Sequence, residues 1–153
     1  EARACGAILQ AARVTGLAVG LALVLVLLSA LHVYWAAGGT WGKGATIPER
    51  QGRPAFRPEP LGTMAAAALL AAAALVVLGR DGLGPAAALG LVTRVGSWAV
   101  AAAFLLRGVG DFRLVGLFRR ADDTRFARWD RRVYTPLALA LGLGTAVLAA
   151  GPA

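Results

Sequence analysis

The chain has 153 residues, of which 58% are hydrophobic and 16% are charged, and its formal net charge is +8 at pH 7. A water-soluble domain has about 25% charged residues, so the composition argues against a soluble protein and for one that uses the bilayer as its solvent. In such a protein, arginines that flank membrane spans and contact anionic headgroups account for the basic charge, and we expect no nucleic-acid partner.

Four segments of the chain are long and apolar enough to cross a bilayer, since about 20 helical residues reach about 30 Å, the thickness of the hydrocarbon region. The predicted spans lie at about 14–34, 61–78, 86–109 and 135–150. Residues 79–85 form a tight connection, whereas 35–60 and 107–134 are long loops. We predict an all-α integral membrane protein, a four-helix bundle in a single transmembrane domain over residues 1–153.

The aromatic residues are concentrated beside the two long loops. Nine of the eleven lie there: Tyr34, Trp35, Trp41, Phe56, Phe112, Phe118, Phe126, Trp129 and Tyr134. An ordinary aromatic belt would be divided between both membrane interfaces. The one-sided distribution predicts that the loops, with an amphipathic helix, form a layer that caps one face of the bundle. A functional site is expected in this layer.

The lysines and arginines predict the orientation in the membrane. The two long loops carry twelve of the sixteen, and the other side has Arg3, Arg13, Arg80 and Arg94. Positively charged loops tend to stay in the cytoplasm, so we expect the long loops there and both termini outside, although Arg13 at the start of the first span opposes this orientation. The bias toward Ala, Gly, Leu, Val and Arg is typical of a GC-rich bacterial genome, which predicts a bacterial inner-membrane protein.

Small residues four apart predict how the spans pack. Gly16 and Gly20 have this spacing on the first span, and Ala138 with Gly142 and Ala140 with Gly144 have it on the fourth. Such pairs let helix backbones approach closely inside lipid. We interpret them as packing features rather than as a binding site.

The first polar cluster lies at the end of the first span, where His32, the only histidine, precedes Tyr34, Trp35 and Trp41. A polar residue so close to the hydrocarbon region generally faces a cavity or a partner, although an interfacial histidine can also simply contact water. One histidine cannot form a bis-histidine haem site or the usual zinc set, and the single cysteine, Cys5, excludes a multi-cysteine site. No metal or other cofactor is therefore expected.

The second cluster, at the end of the third span, contains Arg107, Asp111 and Arg113. Arg107 and Asp111 are four residues apart, so on a continued helix they share a face and can form an ion pair. Gly108 and Gly110 leave room for a neighbouring backbone. The pair can belong to a site or can simply end the helix at the interface, and both interpretations stay open.

The third cluster is the segment 122–134, in which acidic residues come first and arginines later, as suits a helix and its dipole. Phe126, Trp129 and Val133 fall on one side of this helix and its arginines on the other. The pattern, which ends at Tyr134, predicts an amphipathic helix on the membrane surface.

Asp130 departs from this pattern because it lies at the edge of the apolar side of the segment. Burial of an unpaired carboxylate is costly, so we predict that Asp130 is buried and paired. The candidate partners are Arg107, Arg113 and His32.

Motifs in the three clusters together resemble one family. They run from His32 to Gly42 (HVYWAAGGTWG), from Gly110 to Arg113 (GDFR) with Gly116 and Phe118, and from Phe126 to Asp130 (FARWD) with Tyr134 and Pro136 following. Their order and sequence resemble a small bacterial four-span family catalogued as a domain of unknown function. The resemblance covers nearly the whole chain and implies four spans, but it implies no activity.

Three functional hypotheses follow. The first is a pocket at the membrane interface that binds, and can also transform, a lipid-like amphiphile or small anion. Its candidate catalytic residues, which can move protons, are His32, Asp111 and Asp130, and its candidate ligand-binding residues are Tyr34, Trp35, Trp41, Arg107, Arg113, Trp129 and Tyr134. We expect His32, Arg107, Asp111 and Asp130 to share this pocket.

The second hypothesis is a non-catalytic subunit or assembly factor of a larger membrane complex, with a membrane protein as its partner. The third is a small channel or transporter. The third is disfavoured because a conduction path needs polar side chains through the whole bilayer, and the second and fourth spans contain almost none.

Overall fold

The computed structural model describes residues 2–47, 49–50, 53–54, 58–110, 116–117 and 124–151, and this part of the chain is almost entirely helical. The α-helices are α1 (Ala2–Ala36), α2 (Pro60–Arg80), α3 (Gly90–Val109), α4 (Arg125–Trp129) and α5 (Thr135–Ala150). Lys43–Ala45 and Pro85–Ala88 form 3-10 turns, and Asp130–Tyr134 forms a π-helical turn. Two short strands, β1 (Glu49–Arg50) and β2 (Arg53–Pro54), pair antiparallel with Glu49 opposite Pro54.

Among the described residues, four helical segments are long and apolar enough to cross a membrane. They are Ala12–Ala36, Pro60–Arg80, Gly90–Val109 and Arg125–Ala150. Large apolar side chains cover their outer sides, for example Leu27, Leu69 and Leu91, which are 69%, 72% and 77% exposed. Water would be a poor solvent for such a surface, whereas lipid chains cover it. The all-helical four-span prediction is confirmed, and the chain is a multi-pass membrane protein.

The third helix begins later than predicted. The segment Pro85–Ala88 forms a separate 3-10 turn, and α3 starts at Gly90 rather than at residue 86. Gly84, just before the turn, has φ +74°, a left-handed conformation that glycine adopts without strain. Pro85 then occupies the first position of the 3-10 turn, where its missing N–H is no loss.

The segment before α5 differs from the predicted surface helix. α4, the π turn and α5 form one continuous helix from Arg125 to Ala150, so the amphipathic segment is not a separate helix but continues directly into α5. The π turn has a local cause in Pro136, which has no N–H and whose ring crowds the carbonyl group one turn earlier. The chain widens there, and the Thr135 N–H donates to the Asp130 carbonyl, five residues back.

The helices pack mainly as two pairs, α1 with α2 and α3 with α5, and α2 also contacts α3. The apolar core lies where the pairs meet, with Leu25 and Val77 fully buried and Leu141 2% exposed. Ser29 on α1 donates a hydrogen bond of 2.8 Å to the Ala67 carbonyl on α2.

The small residues contribute to this packing on α5 but not on α1. A Cβ atom at Gly142 would lie 2.8 Å from Leu105 Cγ and 2.9 Å from its backbone nitrogen, so the backbones of α5 and α3 are in close contact there. At Gly16 and Gly20 a Cβ would meet nothing within 4 Å. The packing prediction is confirmed for Gly142 and also for Gly144, where a Cβ would lie 3.0 Å from Leu21 Cδ2 of α1, and it is wrong for the α1 glycines within this chain.

Candidate functional site

A cavity of about 450 Å³ opens where α1 ends and α2 begins. Its lining consists of His32 and Trp35 from α1, Lys43, Thr46 and Ile47 from the following turn, and Pro58, Glu59, Gly62, Thr63 and Ala66 at the start of α2. The volume is typical of sites for small molecules, which are mostly apolar with a few polar groups. This lining has that character.

His32 lines this cavity, and one of its ring nitrogens is hydrogen-bonded within α1. Its Nδ1 lies 2.7 Å from the carbonyl oxygen of Leu28, one turn earlier on α1. Because a carbonyl oxygen only accepts hydrogen bonds, Nδ1 carries the hydrogen, and Nε2 is the nitrogen left for a ligand. The ring also packs edge-on against Trp35 with a centroid separation of 5.2 Å, which orients the imidazole.

The charged and hydroxyl groups of the lining come from the turn after α1 and from the start of α2. Lys43 begins the 3-10 turn after Gly42, whose φ of +75° redirects the chain. The Thr46 and Thr63 hydroxyls donate to the carbonyls of Lys43 and Glu59, each at 2.9 Å, so their oxygens can still accept. Among the described residues, the lining of the cavity therefore includes one ammonium group, one imidazole and one carboxylate.

The loop that follows α1 is tied to the end of that helix. The indole N–H of Trp35 donates to the Trp41 carbonyl at 2.8 Å, and the Trp41 N–H donates to the Tyr34 hydroxyl at 3.3 Å. Gly39 lies against the Tyr34 ring, so close that a Cβ would be 2.3 Å from it. Trp41 is 74% exposed, and neither it nor Tyr34 lines the cavity, although both were candidate ligand-binding residues.

Asp130 is fully buried and paired, as predicted. The Arg107 guanidinium donates to one carboxylate oxygen at 2.7 Å, and the Gly116 N–H and the Thr135 hydroxyl donate to the other at 3.0 and 3.2 Å. Of the three candidate partners, Arg107 is confirmed, and Arg113 lies outside the described residues. The cluster links the end of α3 to the start of the α5 span through an ion pair and hydrogen bonds, which compensates the carboxylate for its lost hydration.

Glycines make this arrangement possible. Gly116 has φ +88°, and a Cβ there would lie 2.5 Å from the Val109 carbonyl oxygen, so only glycine brings its N–H to the carboxylate. The next residue, Leu117, donates to the Gly108 carbonyl at 3.0 Å and holds the chain against the end of α3. Gly108 in turn lies against Leu139 of α5.

The described residues do not form the single shared pocket predicted for His32, Arg107, Asp111 and Asp130. His32 lines the cavity between α1 and α2, whereas Arg107 and Asp130 form the cluster between α3 and α5 and are not part of that lining. The physical reason is the helix pairing, which places α3 beside α5 and α1 beside α2. Asp111 and Arg113 lie outside the described residues, and their predicted roles stay predictions.

The remaining candidates, Trp129 and Tyr134, belong to the helix that carries Asp130. Tyr134 packs near the buried Phe126 with ring centroids 6.2 Å apart, and Trp129 is 47% exposed. α4 also contacts the turn Lys43–Ala45, in which Ala45 is 6% exposed. The ion-pair cluster and the cavity are therefore adjacent parts of one layer at the same end of the bundle.

Lys43, Thr46 and Glu59 line the cavity but were not singled out in the sequence. Pro60 is the feature of the sequence that could have indicated Glu59. A proline at the first helical position marks the start of α2 and so places Glu59 beside the end of α1. In the part of the chain that the structure describes, no group of three or more His, Cys, Asp or Glu side chains could hold a metal ion.

These features define a multi-pass helical membrane protein with a cavity and a buried ion-pair cluster at one end of its bundle. A family model described as "Protein of unknown function (DUF3995)" matches residues 25–145, and the chain belongs to this family. Comparisons with curated proteins and with solved structures each give no match. The family match covers both the cavity and the ion-pair cluster.

Proposed function

We propose that this protein binds an amphiphilic, lipid-like ligand with an anionic headgroup in the cavity between α1 and α2. The observation that supports this most directly is a mostly apolar cavity that also contains Lys43 and His32. His32 lies in the last turn of α1, at the level where hydrocarbon gives way to headgroups. A ligand with a tail and a charged head matches that boundary.

The headgroup would bind to Lys43 and to His32 Nε2. An ammonium group forms charge-assisted hydrogen bonds with phosphate or carboxylate oxygens, and these bonds are stronger than neutral ones. The exposed carboxylate of Glu59 is in the same lining and repels an anion, so the headgroup has to lie away from it. Substitution of Lys43 or His32 should therefore weaken binding of the headgroup, whereas substitution of Glu59 should strengthen it. These opposite effects make the proposal testable.

The tail would lie along the start of α2. Gly62 and Ala66 are on one side of this helix, one turn apart, and both line the cavity. A Cβ at Gly62 would meet nothing within 4 Å, so the space in front of it is open. An isoprenoid or acyl chain fits a channel of this kind between helix ends.

Asp130 would act as a positioning residue in this proposal, because it lies outside the cavity lining. Its ion-pair cluster holds the helix that begins with α4, and α4 supports the turn that carries Lys43. If the ligand is transformed as well as bound, His32 can take or give a proton through Nε2.

The proposal includes the membrane setting. The excess of Lys and Arg in the long loops supports a cytoplasmic location for the cavity and an external location for both termini. The composition supports a bacterial inner membrane. Labelling of single-cysteine variants from either side of the membrane would test the orientation, with labelling at Gly38→Cys from outside as the contradicting result.

Binding can be measured by native mass spectrometry or by isothermal titration in mild detergent, with farnesyl phosphate and farnesol as probes. Farnesyl phosphate should bind more tightly than farnesol to the natural chain. Lys43→Gln should weaken binding of the phosphate about tenfold, the loss of one charge-assisted hydrogen bond, and Glu59→Gln should strengthen it. Neither change should alter binding of farnesol.

A matched pair of substitutions tests the location. Gly62→Phe fills the cavity and should abolish binding of both probes, whereas Gly16→Phe adds the same side chain on the outer side of α1 and should leave binding unchanged. Equal binding by the natural chain and Gly62→Phe would contradict the proposal. A stoichiometric protein partner that copurifies in mild detergent, with no probe bound, would favour the subunit hypothesis instead.

A further inference from the structure

A second cavity lies at the opposite end of α2. It has a volume of about 410 Å³ and forms where α2 ends and α3 begins. Gly79 in its lining is thirteen residues from Ala66 in the first cavity, which corresponds to about 20 Å along the helix axis. The two cavities therefore face opposite sides of the membrane.

Two guanidinium groups line this second cavity, those of Arg80 and Arg94. Neither arginine forms an ion pair with a carboxylate in the described part of the chain, where the pair that does form is Arg107 with Asp130. Asp81 follows Arg80 in sequence and is not part of the lining, although one oxygen of its carboxylate is buried without a donor among the described residues. Two like charges in one lining repel each other, weakly because Arg94 is exposed to solvent, and an anion bound between them would remove that repulsion.

Arg80 is held in place with unused hydrogen-bonding capacity. One terminal nitrogen donates to the Gly151 carbonyl after α5, which fixes the guanidinium between the ends of α2 and α5. Its Nε is buried and has no acceptor among the described residues. A buried donor without a partner destabilises the folded chain, and a bound anion is one way to satisfy it.

The backbone around the two arginines leaves room for a ligand. Gly82 and Gly90 line the cavity, and a Cβ at either would meet nothing within 4 Å. Gly79, in contrast, packs so closely on Ala86 and Thr93 that a Cβ would lie 2.7 and 2.8 Å from them, which gives the cavity a firm floor. Gly90 and Leu91, the first residues of α3, also face the cavity, and the positive end of this helix favours an anion.

We infer that this cavity binds a phosphate group through Arg80 and Arg94. Planar guanidinium groups match phosphate oxygens with paired hydrogen bonds, and the floor and the helix start complete the site. The phosphate can belong to a lipid headgroup of the adjacent leaflet or to a free anion. Both sources share the same chemistry, and the experiment separates them.

The test uses the full chain with dioleoylphosphatidylglycerol and inorganic phosphate as probes. Retention of the lipid is measured by native mass spectrometry, and phosphate binding by the rise in unfolding temperature in a zwitterionic detergent. Arg94→Gln should weaken binding about tenfold, and Arg94→Lys should weaken it less because the charge remains. Arg13→Gln, which removes an exposed arginine of α1 outside the lining, is the matched control and should change nothing.

The two sources give different results. Loss of the retained lipid in Arg94→Gln supports a headgroup site, and loss of the phosphate effect with lipid retention unchanged supports a site for a free anion. The proposal is overturned if the natural chain retains neither probe, or if Arg94→Gln and Arg13→Gln retain both equally. Gly62→Phe should leave these results unchanged, so failure of the first cavity and failure of this one are distinguishable.

Discussion

The two helix pairs of this protein are joined in different ways at the end of the bundle that they share. α3 and α5 are in backbone contact at Gly142 and are joined beyond it by the buried pair of Arg107 and Asp130. α1 and α2 are joined by an apolar core and the bond from Ser29 to Ala67, and their end remains open as a cavity. The end of the α3–α5 pair is thus the more strongly charged one, and it is already filled by its own side chains. The end of the α1–α2 pair is open and has only a few polar groups. A buried and fully hydrogen-bonded carboxylate indicates structure more directly than it indicates chemistry.

Among the substitutions that test this difference, Asp130→Ala should have the largest effect on stability. Loss of the carboxylate leaves Arg107 and the Gly116 N–H without their acceptor, and the free energy of unfolding should fall by about 3 kcal/mol, the lower end for a broken buried pair because the Arg107 side chain is 36% exposed. Unfolding by SDS titration in mild detergent measures this. The matched control, Arg132→Ala, removes an exposed charge two residues away and should change the free energy by less than about 0.5 kcal/mol.

A double variant separates the ion pair from the rest of the cluster. The loss of stability in Asp130→Ala should come from an Arg107 guanidinium left without its partner. Arg107→Ala combined with Asp130→Ala should then be more stable than Asp130→Ala alone. Equal stability of Asp130→Ala and the natural chain would show that the pair does not hold α3 to α5.

The next effect in size concerns glycine. Gly142→Ala places a methyl group against the backbone of Leu105, so α3 and α5 have to separate, and overpacking of this kind costs about 1–3 kcal/mol. Gly20→Ala adds the same group where nothing lies within 4 Å and should be neutral or slightly stabilising. The same SDS titration compares them. Equal effects of the two substitutions would contradict the close contact of α3 with α5.

The smallest effect should come from the bond that joins α1 to α2. Ser29→Ala removes the donor to the Ala67 carbonyl, and hydrogen bonds between membrane helices contribute about 0.6 kcal/mol on average. The control is Ser97→Ala, because the Ser97 hydroxyl bonds to the Thr93 carbonyl of its own helix and joins no two helices. A larger loss of stability for Ser97→Ala than for Ser29→Ala would show that this interhelical bond is not what holds the open pair.

The helical architecture and one feature of the site followed from the sequence. Span length and hydropathy predict the four helices because lipid requires them, and Asp130 was expected to be paired because it interrupts the apolar side of its helix. Which partner it takes could not be predicted, since that depends on which helices are neighbours. For the same reason the sequence could not show that His32 lines the cavity between α1 and α2 while Asp130 lies in the cluster between α3 and α5.

The glycines show a second limit of sequence reasoning. Gly16 and Gly20 have the spacing of a packing motif, and so do Ala138 and Gly142, but only the latter pair faces a neighbouring helix. Spacing defines a stripe along a helix and does not determine where that stripe points. Ala18 and Leu25, on a different side of α1, are the residues that face the core.

The π turn between α4 and α5 determines how far α4 is rotated about the helix axis relative to α5. Deletion of one residue within it, such as Val133, would turn everything before it by about 100° relative to α5. The Asp130 carboxylate would then turn away from the Arg107 guanidinium, and the buried pair would be lost. The extra residue of the π turn therefore directs the Asp130 carboxylate toward Arg107 and the interior of the protein. In this helix the irregular winding keeps an ionised group out of the lipid.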